Sequence, residues 1–182
     1  MSARARFLDL TGPAAGGAVV GTGIMSIALR LTGHAGLSLA LLWVTAALWG
    51  VLGVALIARA LIDRPRMMRE LRTPVALTGI AGTAVLGARL GDHGWTWAPA
   101  LALMVAGILC PPVILPVVRG IGRTVTGEAF LITVALEALA VLGAIVSEQH
   151  RSATLAALAL ALLIGGGAGY PWGGIRFDRE QI

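Results

Sequence analysis

Few side chains in this sequence are equipped for chemistry, and they lie far apart. Glu137 stands alone in "LITVALEALAVLGA", a stretch with no other ionisable group. A carboxyl there reads either as a proton carrier coupled to an acidic solute, or as a group bonded to a neighbouring helix or a reaching arginine. Cys110 is the single cysteine, which excludes a disulfide framework or a thiolate metal cluster within one chain. His34, His93 and His150 fall in three different connections without ligand spacing, so they read as solvated rather than as a metal set. Asp92-His93 and Glu148-x-His150 lack a nucleophile elbow, and no catalytic triad is expected. No enzyme, cofactor or metal is implied.

"VVGTGIMS" at 19–26 imitates a nucleotide loop. A dinucleotide fingerprint would need a third glycine and an acidic residue about 20 positions on. Ser26 follows Gly21 and Gly23 instead, and the next acidic residue is Asp63. Gly17 and Gly21 form a small-xxx-small pair, which lets helices approach closely or leaves backbone open beside a watery path.

The elements that carry these residues follow from composition. Of 182 residues, 57% are hydrophobic and 13% charged, and the mean hydropathy is +0.87. A soluble domain cannot bury that much apolar side chain. The apolar residues come in blocks long enough to cross a bilayer as helices, at about 20 residues per crossing. The expectation is an all-α integral membrane protein, one transmembrane domain over 1–182, with six helices near 14–31, 37–61, 74–90, 98–118, 128–147 and 153–171.

All 14 basic residues are arginine and the net charge is +5. With the N-terminus inside, eleven arginines (Arg4, Arg6, Arg59, Arg64, Arg66, Arg69, Arg72, Arg119, Arg123, Arg176, Arg179) face the cytoplasm, and Arg30, Arg89 and Arg151 do not. This asymmetry predicts a multi-pass protein of the plasma (inner) membrane with both termini cytoplasmic, and makes nucleic acid an unnecessary explanation of the charge. A signal peptide is the competing reading of the first segment, but its long glycine-rich run favours an uncleaved helix. Trp95, Trp97 and Trp172 read as interfacial anchors, and Trp43 and Trp49 as packing or lipid-facing.

The first, third and fifth segments are rich in glycine and threonine, and the second is bulkier. This suggests three hairpins, each giving one small-residue helix to an inner layer. Pro111, Pro112 and Pro116 predict a kink or break in the fourth segment, and "GGGAG" at 165–169 a weakened end to the sixth.

"PAAGGAVVGTGIMSIAL" at 13–29, "RTPVALTGIAGTAVLGARL" at 72–90 and "GEAFLITVALEALAVLGA" at 127–144 resemble the tellurite-resistance/C4-dicarboxylate transporter family, which includes bacterial permeases and the slow anion channels of plants. The resemblance covers nearly the whole chain, to about Asp178. It implies part of a ten-helix pore fold, often trimeric, whose odd-numbered helices line a conduit. Gly17, Gly21, Thr22, Gly23, Gly79, Gly82, Thr83, Thr133 and Glu137 are then the candidate lining residues, and Arg30 and Arg89 the candidate anion vestibule. Six spans are fewer than the family's ten, and the helix that supplies its aromatic plug has no counterpart. The expectation is therefore a split, truncated or residual transporter, completed by self-assembly or a complementing membrane chain. The implied solutes are small anions, dicarboxylates or tellurite-like oxyanions, with passage passive or proton-linked. A non-transporting accessory subunit is the alternative.

Overall fold

The computed structural model describes residues 15–120 and 130–174, and every element among them is helical. These are α1 (Gly16–Leu31), α2 (Ala35–Ile62), the short α3 (Arg64–Glu70), a 3₁₀ turn (Pro74–Ala76), α4 (Leu77–Asp92), α5 (Trp97–Gly120), α6 (Phe130–His150) and α7 (Ala153–Gly174). Four helices are long and apolar enough to cross a membrane: Ala35–Ile62, Pro74–Asp92, Trp97–Val118 and Phe130–His150. Gly16–Leu31 and Ala153–Gly166 are apolar but shorter. Arg4, Arg6, Arg123, Arg176 and Arg179 lie outside the described residues, as do the side chains of Arg66, Arg119 and Trp172.

Three turns are built alike. After α1, His34 N–H donates to the Leu29 carbonyl and Gly33 N–H to that of Arg30. After α4, Trp95 and Gly94 repeat the pattern on Leu90 and Gly91, and after α6, Ser152 and Arg151 repeat it on Ser147 and Glu148. This paired closure satisfies the last carbonyls of each helix and needs a left-handed residue at its pivot. Gly33 and Gly94 supply it at φ 85° and 101°, whereas Arg151 is held at φ 51°. Each turn joins two helices that pack on one another, α1 with α2, α4 with α5 and α6 with α7.

α4 is the centre of the structure. It packs on both α1 and α6, so that α1, α4 and α6 stand in a row with α2 and α5 behind. Leu77, Ile80, Ala106, Val113, Leu139 and their neighbours form one core between α4, α5 and α6. Ala84, Ala88, Ala102 and Leu142 form a second.

Of the kink or break expected in the fourth segment, the break does not occur: α5 runs through Pro111, Pro112 and Pro116 as one helix. Val113 and Val117 are buried in the core, and that packing outweighs the missing N–H donors. The last helix continues through the "GGGAG" stretch to Gly174. Gly166 is buried there against α6, where a Cβ would sit in ordinary contact 3.4 Å from Glu137 Cγ and Leu136 Cβ. The charged connection 62–73 also contains an element the sequence reading left out, the seven-residue α3.

Candidate functional site

α1 and α4 run parallel and interlock at four levels. A Cβ on Gly16 would collide with Thr78, one on Gly82 would lie 3.0 Å from Val19 Cγ1, one on Gly23 would lie 2.6 Å from Val85 Cγ1, and Ser26 meets Arg89. Positions 16, 19, 23 and 26 answer 78, 82, 85 and 89, the alternation of threes and fours that lets two helices share a seam. Glycine on one side is matched by a branched or longer side chain on the other, which is how small residues bring membrane helices close.

The fourth level is polar. Arg89 is 3% exposed and lies between α1, α2 and α4. Its Nε donates to Ser26 Oγ at 3.1 Å and its Nη2 to Ser38 Oγ at 2.7 Å. The two serines are themselves joined: Ser26 Oγ donates to the Ser38 carbonyl and Ser38 Oγ to the Ser26 carbonyl, each at 2.7 Å. Among the described residues Nη1 of Arg89 has no hydrogen-bond partner, and Asp92 Oδ2 stands 4.0 Å away. Arg30 is exposed, and its Nη1 donates to the Asp92 carbonyl at 2.9 Å, tying the end of α1 to the last turn of α4. A charge inside an apolar bundle is costly without partners, so three helices converge on this guanidinium. The sequence reading singled out Arg30 and Arg89 but passed over Ser38 and gave Ser26 no role. The available signal was a serine in each of two consecutive apolar runs facing an arginine in the third.

The candidate lining residues divide into two groups. Gly17 and Gly21 are exposed on α1, and a Cβ on either would meet nothing within 4 Å. Glu137 is exposed on a stripe of α6 with Phe130, Val134, Val141, Ala144 and Glu148. Gly23 and Gly82 are instead occupied in the α1–α4 seam. Thr22 Oγ1 donates to its own Ala18 carbonyl at 2.8 Å and accepts from Thr45 Oγ1 of α2 at 3.0 Å. Thr83 accepts from Trp49 Nε1 at 2.9 Å. Thr133 is half-buried, with its carbonyl 3.5 Å from where a Cβ on Gly166 would be. Gly79 is exposed toward a cavity of about 480 Å³ bounded by α1, α2, α4 and α5. The structure therefore brings Arg30 and Arg89 together at one end of α1 and α4, while Gly17 and Gly21 stay open on a different element from Glu137.

At the opposite end, Arg59 is buried against α3, and its Nη1 pairs with Glu70 Oε2 at 2.8 Å. Aromatic rings gather at the Arg89 end: Trp43 meets Trp95 edge-on at 6.3 Å, and Trp95 stacks on Trp97 at 5.7 Å. Among the described residues no group of three His, Cys, Asp or Glu could hold a metal ion.

A family model described as voltage-dependent anion channel matches residues 11–171. That match spans α1 to most of α7 and agrees with the resemblance carried by the three small-residue stretches. No curated protein and no solved structure matches the chain.

Proposed function

The chain belongs to the voltage-dependent anion channel family, and from that premise we propose that it carries small anions through a membrane along the row formed by α1, α4 and α6. The observation that carries this reading is the row itself, three small-residue helices side by side with α2 and α5 behind. A row of three has two open flanks, the Gly17–Gly21 side of α1 and the Glu137 stripe of α6. Further membrane helices, from another copy of this chain or from a complementing membrane chain, close the row around a path.

Arg30 and Arg89 give the end of α1 and α4 a positive field that concentrates dicarboxylate or oxyanion solutes. Gly17 and Gly21 leave backbone facing the path, and Glu137 supplies the proton if passage is proton-linked. The end that bears Arg59, Arg64, Arg69 and Arg72 is cytoplasmic, in the plasma membrane.

Purified protein in liposomes tests the reading. Flux of nitrate, chloride, succinate or tellurite above protein-free vesicles is expected, and Gly21→Leu should suppress it while leaving the helices folded. Glu137→Gln should leave passive flux in place and remove any dependence on a proton gradient. Correctly inserted protein with no flux of any of these anions would falsify the proposal.

A second reading is favoured by one observation. Gly17 and Gly21 are a vacant small-xxx-small pair, suited to receive a helix rather than a solute. On that reading the chain is an accessory subunit packed against a partner transporter. A disulfide from Gly21→Cys to one defined partner chain, together with silent liposomes, distinguishes it.

A further inference from the structure

The cavity behind the row is unused by the proposed conduit. It opens between α2 and α5 over the floor of α4, and Trp49, Gly53, Ile57, Gly79, Leu109 and Pro112 are among its walls. Its polar groups are already engaged with one another, since Trp49 Nε1 donates to Thr83 Oγ1. Nothing in it would hold a hydrated anion.

Its length and its mouth are informative. Along α2 the lining runs from Trp49 to Ala60. Eleven residues at helical rise make about 16 Å. That is about the depth of one leaflet of a hydrocarbon core ~30 Å thick. At the Ala60 end the lining passes to Met67 of α3 and to Leu71. Arg64, Met67 and Leu71 follow at i, i+3 and i+7, so the arginine shares a side with the two lining residues. Arg64, Arg69 and Arg72 are all exposed. An apolar slot one leaflet deep thus ends beside the exposed Arg64, at the level where phosphates of the bilayer lie.

We propose that this cavity is a binding site for an anionic phospholipid, with an acyl chain in the slot between α2, α4 and α5 and the phosphate headgroup at Arg64. The slot supplies apolar contact to any chain, and the arginine selects the charge of the headgroup. The inference is independent of whether α1, α4 and α6 conduct.

The full-length protein, extracted from vesicles of equal phosphatidylglycerol and phosphatidylcholine, is stripped of bound lipid and the lipid is counted by mass spectrometry. The wild type should retain phosphatidylglycerol in excess. Arg64→Gln should cut that excess about fivefold, the fold-change that roughly 1 kcal/mol of headgroup attraction represents, whereas Arg69→Gln, turned about 140° away on α3, should leave it unchanged. Gly53→Leu should fill the slot, because a Cβ at Gly53 meets nothing within 4 Å, and so lower retention of both lipids. If Gly53→Leu proves unstable, wild-type unfolding temperatures suffice: phosphatidylglycerol should raise them and phosphatidylcholine should not. Equal retention of the two lipids by the wild type, or cross-linking of Leu109→Cys to a second copy of the chain, overturns the proposal.

Discussion

Ser26 and Ser38, twelve residues apart on successive helices, exchange hydrogen bonds so that each hydroxyl donates to the other's carbonyl at 2.7 Å. Arg89 then donates to both hydroxyls, so one exchange holds three helices. Ser26→Ala or Ser38→Ala leaves a buried donor or acceptor without its partner, at a cost of about 1–3 kcal/mol each. Their combination should cost less than the sum, because the second change removes a contact already lost. Denaturant unfolding of the singles and the double in detergent measures this, and strict additivity would show that the serines act separately.

Arg89→Lys should behave as a loss rather than a conservative change. The planar guanidinium reaches Ser26 through Nε and Ser38 through Nη2, and a single ammonium cannot reproduce that fork. We expect a lower unfolding temperature and, where the wild type conducts, lower anion flux. Arg30→Lys should keep its stability, since Arg30 is exposed and donates to the Asp92 carbonyl, which an ammonium can also reach. Equal stability loss in the two variants would contradict the placement of Arg89 in the bundle.

The glycines of α1 should separate by face. Gly16→Ala would put a methyl against Thr78 and 2.9 Å from the Gly79 backbone nitrogen, a misfit of about 1–3 kcal/mol. Gly17→Ala and Gly21→Ala meet open space and should gain up to ~1 kcal/mol from helix propensity. A scan by thermal unfolding reads the alternation directly, and a flat profile would mean that α1 does not seat on α4 as described.

Arg151 occupies a pivot where the two sister turns have glycine, at φ 51° against 85° and 101°. Arg151→Gly should therefore stabilise the α6–α7 turn by about 1 kcal/mol, the penalty a side chain suffers in the left-handed region. Hydrogen exchange of Arg151 and Ser152 amides should slow. A loss of stability would show that the arginine side chain has a compensating contact.

Much of this architecture is legible in the sequence. Apolar blocks with arginine between them mark the helices, because backbone polar groups in lipid must be satisfied within each segment. Gly-Thr-Gly at 21–23 marks the inner layer by the size of its side chains. What composition cannot say is which way each small residue turns. Gly21 and Gly23 are two positions apart, yet one is open and the other is pressed against Val85, because a helix rotates about 100° per residue. The same limit hid the clamp. Ser26, Ser38 and Arg89 sit on three different segments, and only the parallel register of α1 with α4 brings them together. The prolines of α5 misled for a different reason. A missing donor predicts a break locally, whereas burial of Val113 and Val117 is a tertiary effect.

The stepped seam between α1 and α4 also restricts how a passage beside it could change width. Sliding one rod past the other by a single residue would move it about 1.5 Å, enough to strand Val85 outside its notch at Gly23 and to pull the guanidinium off both serines. The two therefore travel as a unit. α6 meets α4 through Ile80, Ala84, Leu139 and Leu142, greasy surfaces that shear past one another at smaller cost. A valve in this molecule would turn on that softer boundary.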